Sequence, residues 1–234
     1  MADAEQLVAL NMERWRWMPD SFGDRYVFVN IPSATLVARD GGADAITMKV
    51  VVGKPINRTP VLSSAINAVV FSPYWNIPES IVSREILPAV RKNPAYLDKQ
   101  NIEVIPGPNG RESYRQRPGP SNALGLVKFV FPNDFGVYMH DTPTESAFAR
   151  AERALSHGCV RLEQPQSLAE WVLRGVGEWT QPSIDAAMNG GTERWVRLST
   201  PIPVHTAYFT VTPDASGGLQ FWPDVYGFDR RQRR

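Results

Sequence analysis

Eight prolines fall between residues 73 and 120, at positions 73, 78, 88, 94, 106, 108, 118 and 120. Proline lacks an N–H and fixes φ, so this density forbids long regular elements across the segment. Strand-like runs lie on both sides of it. Before it come Arg25-Tyr-Val-Phe-Val-Asn-Ile, Ala34-Thr-Leu-Val-Ala-Arg, the turn Asp40-Gly41-Gly42, Ala45-Ile-Thr-Met-Lys-Val-Val-Val and Asn67-Ala-Val-Val-Phe; after it come Leu124–Phe131 and Gly136–His140. The first seventy residues therefore read as a β meander behind a helix over residues 5–17, in which Leu7, Leu10, Arg14 and Trp17 share a face and Pro19 ends the element. Within the proline-rich excursion Glu79–Val90 is the clearest helical piece, and Arg111, Arg115 and Arg117 cluster near its end. A long excursion from a β core is uncommon unless it serves as a lid or binding loop; the alternative is a solvated decoration.

Further helices are expected at Glu145–Ala154 and from Pro165 to about Val176, where proline suits a first turn. Late strands are expected at Trp195–Leu198, Val204–Val211 and Gly218–Trp222, with the turn Asp214-Ala-Ser-Gly-Gly before the last. The tail Arg230-Arg-Gln-Arg-Arg reads as a frayed end. These elements define a mainly β, α+β chain.

Composition narrows the function classes. Lys plus Arg number 25 and Asp plus Glu 24, a formal charge of +1, which gives no basic footprint for nucleic acid. Seven Trp, ten Phe and seven Tyr exclude disorder. No run approaches the ~20 apolar residues of a membrane span, and the first residues lack a signal-peptide core. The 234 residues suit one large domain, or a small domain with an insert, and need no disulfide or metal staple.

Cys159 is the only cysteine, and two of the three histidines, His140 and His157, lie within twenty positions of it. A lone cysteine is more often a buried hydrophobe than a nucleophile. Here it follows Ser156, His157 and Gly158, and glycine lets backbone approach a substrate closely. A thiol attacks as thiolate, so it needs a base or cation nearby, and attack on a carbonyl needs N–H donors for the oxyanion. In an extended Cys159-Val160-Arg161-Leu162, Cys159 and Arg161 face the same way, so Arg161 can hold a substrate carboxylate bidentately. Tyr138 and His140 likewise share a face of the preceding strand. Taken singly, Arg161 would be a surface ion pair and Tyr138 ordinary packing.

His140, fifteen intervening residues and then Ser156-His157-Gly158-Cys159 resemble the signature of L,D-transpeptidases of the YkuD type. Asn11-Met-Glu-Arg-Trp-Arg-Trp, Val51-Val-Gly-Lys-Pro, Pro118-Gly-Pro-Ser-Asn-Ala-Leu-Gly, His140-Asp-Thr-Pro and Thr200-Pro-Ile-Pro-Val are similar to the large periplasmic members of Gram-negative bacteria. The likeness runs from about residue 8 to 229. Arg161 stands where many members carry Asn, although this subgroup often has Arg. Larger relatives also carry an N-terminal scaffold and a peptidoglycan-binding module that these residues do not include.

The resemblance implies a β-sandwich catalytic core over residues 21–200, led into by a helix over 1–20. It further implies a partly helical substrate-capping lid over 73–120 and a C-terminal β segment over 201–234. It implies Cys159 as nucleophile, His140 as base, and an oxyanion hole from the backbone around His157, Gly158 and Cys159 after Ser156. Tyr74 and Trp75 would line the donor channel. The implied partners are peptidoglycan stem peptides, with carbapenems as covalent inhibitors, and the implied chemistry is a thioester route to 3→3 cross-links with release of D-alanine. No cofactor or metal is implied, and the compartment would be the periplasm.

Three rivals remain. A papain-like hydrolase would place its cysteine before its histidine. A zinc site would have to gather His140, His157, Cys159 and His205 around one point. A catalytically silent peptidoglycan-binding domain would keep the fold without turnover.

Overall fold

The computed structural model describes residues 2–214 and 216–232. Helix α1 spans Ala2–Trp15 and winds down through a turn at Met18 before Pro19. Its inward positions differ from the expected apolar stripe. Trp17 is 62% exposed, whereas Asn11 and Arg14 are buried. Polar groups can occupy that face because each finds partners. Asn11 exchanges hydrogen bonds with Thr210, and Arg14 contacts Asp229 at 2.6 Å.

Strands β1 (Arg25–Asn30), β2 (Thr35–Asp40) and β3 (Ala43–Gly53) form the expected antiparallel meander. Strand β4 (Leu62–Phe71) leaves it, which corrects the single-meander expectation. The far half of the 11-residue β3 has other partners to take up, described below, so β4 crosses to the other side of the sheet.

The proline-rich stretch forms its own small unit. Strands β5 (Trp75–Asn76), β6 (Ile102–Pro106) and β7 (Glu112–Gln116) make a sheet in the order β5-β7-β6. Against it lies a continuous helical stretch of α2 (Glu79–Ile81), a π-helical turn (Val82–Ile86) and α3 (Leu87–Lys92), followed by α4 (Tyr96–Lys99). Pro88 sits inside this stretch without breaking it. It has no N–H to give the preceding turn, and the wider register is visible at Leu87, whose N–H reaches the carbonyl of Val82. Ile77, Val82, Ile86 and Ile102 form a separate apolar core, each side chain contributing about 1.5–3 kcal/mol when fully buried. The arginine cluster is spent on carboxylates of the same unit: Arg111 on Glu79, and Arg115 and Arg117 on Glu103. At the base, fully buried Asn122 donates to the carbonyls of Pro73 and Arg117 and accepts from Leu124 N–H.

Beyond the insert come β8 (Val127–Val130), β9 (Met139–His140), β10 (Ala154–Ser156), β11 (Val160–Leu162), α5 (Pro165–Leu173), α6 (Gln181–Asn189), β12 (Arg194–Ala207), β13 (Val211–Pro213), β14 (Leu219–Phe221) and α7 (Phe228–Gln232). The expected helix at Glu145–Ala154 is only a 3-10 turn over Glu145–Ala149, followed by β10. Arg153 holds that segment extended by donating to the carbonyls of Ser33, Ala34 and Val50. The two strands expected around Pro201 and Pro203 are one, β12, which passes through residue 200 with a register shift between Arg197 and Ile202. Helix α6 was not anticipated, although Thr180 and Ser183 form a capping box. The tail expected to fray is helical through Gln232; Arg233 and Arg234 lie outside the described residues.

The main sheet runs β10-β3-β11-β9-β8-β4-β12-β1-β2, and an additional β2–β3 pairing closes it. This mixed α+β, mostly stranded chain thus wraps a β-sandwich-like core in which Val27, Leu36, Ile66, Phe71, Phe129, Met139, Leu162 and Val204 are fully shielded. Leu168, Val172 and Leu173 of α5 and Ile184 of α6 join the same cluster.

Candidate active site

Strand pairing gathers the chemistry. β9 and β11 run parallel, with His140 opposite Arg161 and Met139 opposite Val160, and Val160 N–H donates to the carbonyl of Tyr138 at 3.1 Å. Residues 21 positions apart thereby become neighbours, and alternation turns Cys159 and Arg161 toward Tyr138 and His140. One cleft of 390 Å³ is lined by Tyr138, His140, Ser156, His157, Cys159 and Arg161, with Trp75 of the insert across from them. Tyr74 is not among the lining residues. Its ring lies under the Arg115 guanidinium, 4.0 Å away, and its N–H donates to Glu193.

The Ser-His-Gly-Cys loop is held by a chain of main-chain bonds. Ser156 Oγ donates to the Cys159 carbonyl at 2.5 Å and accepts from Gly158 N–H at 3.1 Å. Gly158 has φ +120°, a conformation that side chains rarely adopt. Its carbonyl accepts from Thr59 Oγ1 at 2.7 Å, and Thr59 in turn accepts from Gly53 N–H at 2.9 Å. Tyr226 closes the network, donating to the Gly53 carbonyl and accepting from Thr59 N–H. Ser156 therefore already occupies the Gly158 N–H. The N–H groups of His157 and Cys159 have no acceptor among the described residues, so these two, rather than all three, are the free donors beside the thiol.

Burial pushes the Cys159 thiol up from its ordinary range; hydrogen bonds from Tyr138 and the charges of Arg161 and Lys128 pull against it. Burial also pushes His140 down, to about 3, helped by Arg161 and opposed by the carbonyls of Asp141 and Leu124. Its Nδ1 lies 2.5 Å from the Asp141 carbonyl. Thiol and imidazole are therefore both neutral at pH 7. Arg161 is mostly buried, and its Nε has no acceptor among the described residues. Burial raises the Tyr138 phenol, which keeps it a hydrogen-bond donor at neutral pH.

Four neighbours of the candidate site carry no local sequence signal. Thr59 and Tyr226 come from distant loops, Glu85 comes from the insert, and Lys128 lies opposite His140 on β8 with its ammonium 5.5 Å from the Tyr138 ring and 5.4 Å from Trp195. His205 lies elsewhere, bonded to Ser63 at 2.8 Å and edge-on to Phe22. The four-ligand zinc arrangement is thus not formed, and among the described residues no group of three or more His, Cys, Asp or Glu converges. Nor is any described helix long and apolar enough to cross a membrane.

A cleft lined by a lone thiol, a neutral imidazole and a guanidinium whose Nε has no acceptor among the described residues, with free N–H donors next to the thiol, has the makings of a cysteine acyltransferase site. The L,D-transpeptidase catalytic-domain model of the YkuD family matches residues 24–201. A Haemophilus influenzae protein assigned to the L,D-transpeptidases is 33% identical over 242 residues, covering 97% of this chain and 48% of that protein. The chain belongs to the YkuD L,D-transpeptidase family, and it spans about half the length of the curated relative it matches. Among solved structures, an L,D-transpeptidase from Mycobacterium smegmatis is 14% identical with a TM-score of 0.43, over 78% of this chain and 58% of that one. The E. faecium catalytic domain acylated by ertapenem is 12% identical with a TM-score of 0.38, over 80% and 99% respectively.

Proposed function

We propose that the chain is an L,D-transpeptidase that joins peptidoglycan stems by 3→3 cross-links. The observation that carries this proposal is the single cleft holding Cys159, neutral His140 and the unpaired Arg161. Cys159 Sγ attacks the carbonyl linking diaminopimelate to the terminal D-alanine of a tetrapeptide donor. The thiol is raised and the imidazole lowered, so no ion pair exists at rest, and His140 accepts the thiol proton as the C–S bond forms. The oxyanion is met by the N–H groups of His157 and Cys159. His140 returns the proton to the departing D-alanine amine and leaves a thioester. A second stem's amine then attacks the thioester and restores the thiol. Water in place of that amine would give L,D-carboxypeptidase activity.

Arg161 pairs with a substrate carboxylate, Tyr138 donates to the reacting groups, and the insert caps the cleft through Trp75. Carbapenems acylate Cys159 by ring opening, with no leaving group to complete the cycle. The substrate is a cell-wall polymer, so we assign the periplasm as the compartment. The test is incubation with a disaccharide tetrapeptide: D-alanine release and a 3→3 dimer are expected, both lost in Cys159→Ala. Stem-peptide binding without D-alanine release would instead mark a silent binding domain.

A further inference from the structure

The cleft around Cys159 adjoins a second cavity of 230 Å³ beneath the insert, and Trp75, Ile81, Glu85, Ala123 and Arg161 line both. Among the described lining residues of the two chambers, Glu85 is the only carboxylate and Arg161 the only guanidinium, and no lysine is present. The anion comes from the insert and the cation from the core. Arg161 Nε is buried without an acceptor. Glu85 lies in the π-helical turn Val82–Ile86, a feature that recurs at functional sites. One of its oxygens, Oε1, is 2.8 Å from His157 Nε2; the other has no hydrogen-bond partner among the described residues. His157 thereby holds the carboxylate at the cleft wall with one oxygen to spare, and a π-helical register, rather than sequence-local acidity, sets it there.

The Glu85 side chain is 53% exposed, so its carboxylate lines the cleft while staying open to an incoming ligand. Opposite charges lining both chambers suit a zwitterionic ligand, such as the α-ammonium and α-carboxylate of an amino-acid centre. We propose, resting on the transpeptidase function above, that Glu85 is a specificity-determining residue that receives the ammonium of a zwitterionic amino-acid centre whose carboxylate is taken by Arg161. The insert then selects substrate by charge as well as covering it, and stems whose side-chain amine is acylated are discriminated at Glu85.

Binding is measured by titration calorimetry on the intact chain carrying Cys159→Ala, so that no turnover intervenes. Two ligands are compared: a stem tetrapeptide with a free side-chain amino-acid terminus, and the same peptide with that amine acetylated. Glu85→Gln removes the charge, yet its amide oxygen still accepts from His157 Nε2–H. It should weaken the free-amine peptide about tenfold or more, the size of one charge-assisted hydrogen bond, and leave the acetylated peptide unchanged. Glu85→Ala should show the same discrimination with a further, ligand-independent loss from the freed His157. Equal weakening of both peptides by Glu85→Gln, or no weakening of either, would overturn the assignment. D-alanine release by the unsubstituted chain is read in parallel. Its absence alongside the discriminating pattern would sink the transpeptidase proposal and leave the ammonium site standing.

Discussion

The hydroxyl of Thr59 donates to the carbonyl of Gly158 at 2.7 Å while accepting from Gly53 N–H at 2.9 Å. This buried side chain, ninety-nine positions from its acceptor, clamps the peptide immediately before Cys159 to the end of β3. Thr59→Val keeps the shape and orphans two buried main-chain groups, at about 1–3 kcal/mol. Urea unfolding should show that loss, and thiol acylation should slow as the loop loosens. Thr59→Ser should retain both. Full stability in the valine variant would show that the clamp contributes nothing.

The burial of His140 predicts a pH dependence of stability. The unfolded imidazole titrates near 6.5 and the folded one near 3. Between those values the unfolded chain binds a proton that the folded chain does not. Stability therefore falls as pH drops from about 6.5 toward 3, and the group contributes no slope above 6.5, where both states are neutral. Urea midpoints at pH 7.5, 6, 5 and 4 should decline more steeply for the natural chain than for His140→Gln. His205, also lowered by burial, leaves a residual slope in both. Identical slopes would mean that His140 is not buried as a neutral base.

Thiol reactivity should follow the opposite direction of shift at Cys159. Iodoacetamide alkylation should rise only at alkaline pH, with an apparent pKa above that of an ordinary thiol. Arg161→Met removes a charge that favours the thiolate and should push the alkylation profile higher still. A profile centred near neutrality would indicate a resting thiolate–imidazolium pair and a different acylation step.

Arg14 and Asp229 join the two ends of the chain, their side chains each 6% exposed. Losing one partner strands a buried charge. Asp229→Ala should therefore cost about 3–5 kcal/mol in urea denaturation. A loss under 1 kcal/mol would show that water reaches the pair.

Much of the candidate site's arrangement was legible because it depends on short-range rules. Alternation alone orients Cys159 with Arg161 and Tyr138 with His140, and all four line the same cleft. The proline-dense stretch likewise announced a unit apart from the β core. What escaped depends on distant contacts. The segment after Glu145 has helical composition, but Arg153 bonds to three carbonyls more than a hundred residues away and keeps it extended. Tyr74 neighbours Trp75 in sequence, yet the strand at 75 turns the two side chains apart, one to the cleft and one to Arg115. Thr59, Glu85 and Asn122 acquire their roles only once the insert and the loops have docked. Gly158 was expected as an oxyanion donor, and the Ser156 hydroxyl takes that N–H first.

The central claim is that Cys159 is the activated nucleophile of this cleft. Intact-protein mass spectrometry after incubation with meropenem tests it most directly, with Cys159→Ala as control. One stoichiometric adduct, absent from the alanine variant, is the predicted result. A folded protein that stays unmodified, or an adduct that persists in Cys159→Ala, would contradict it.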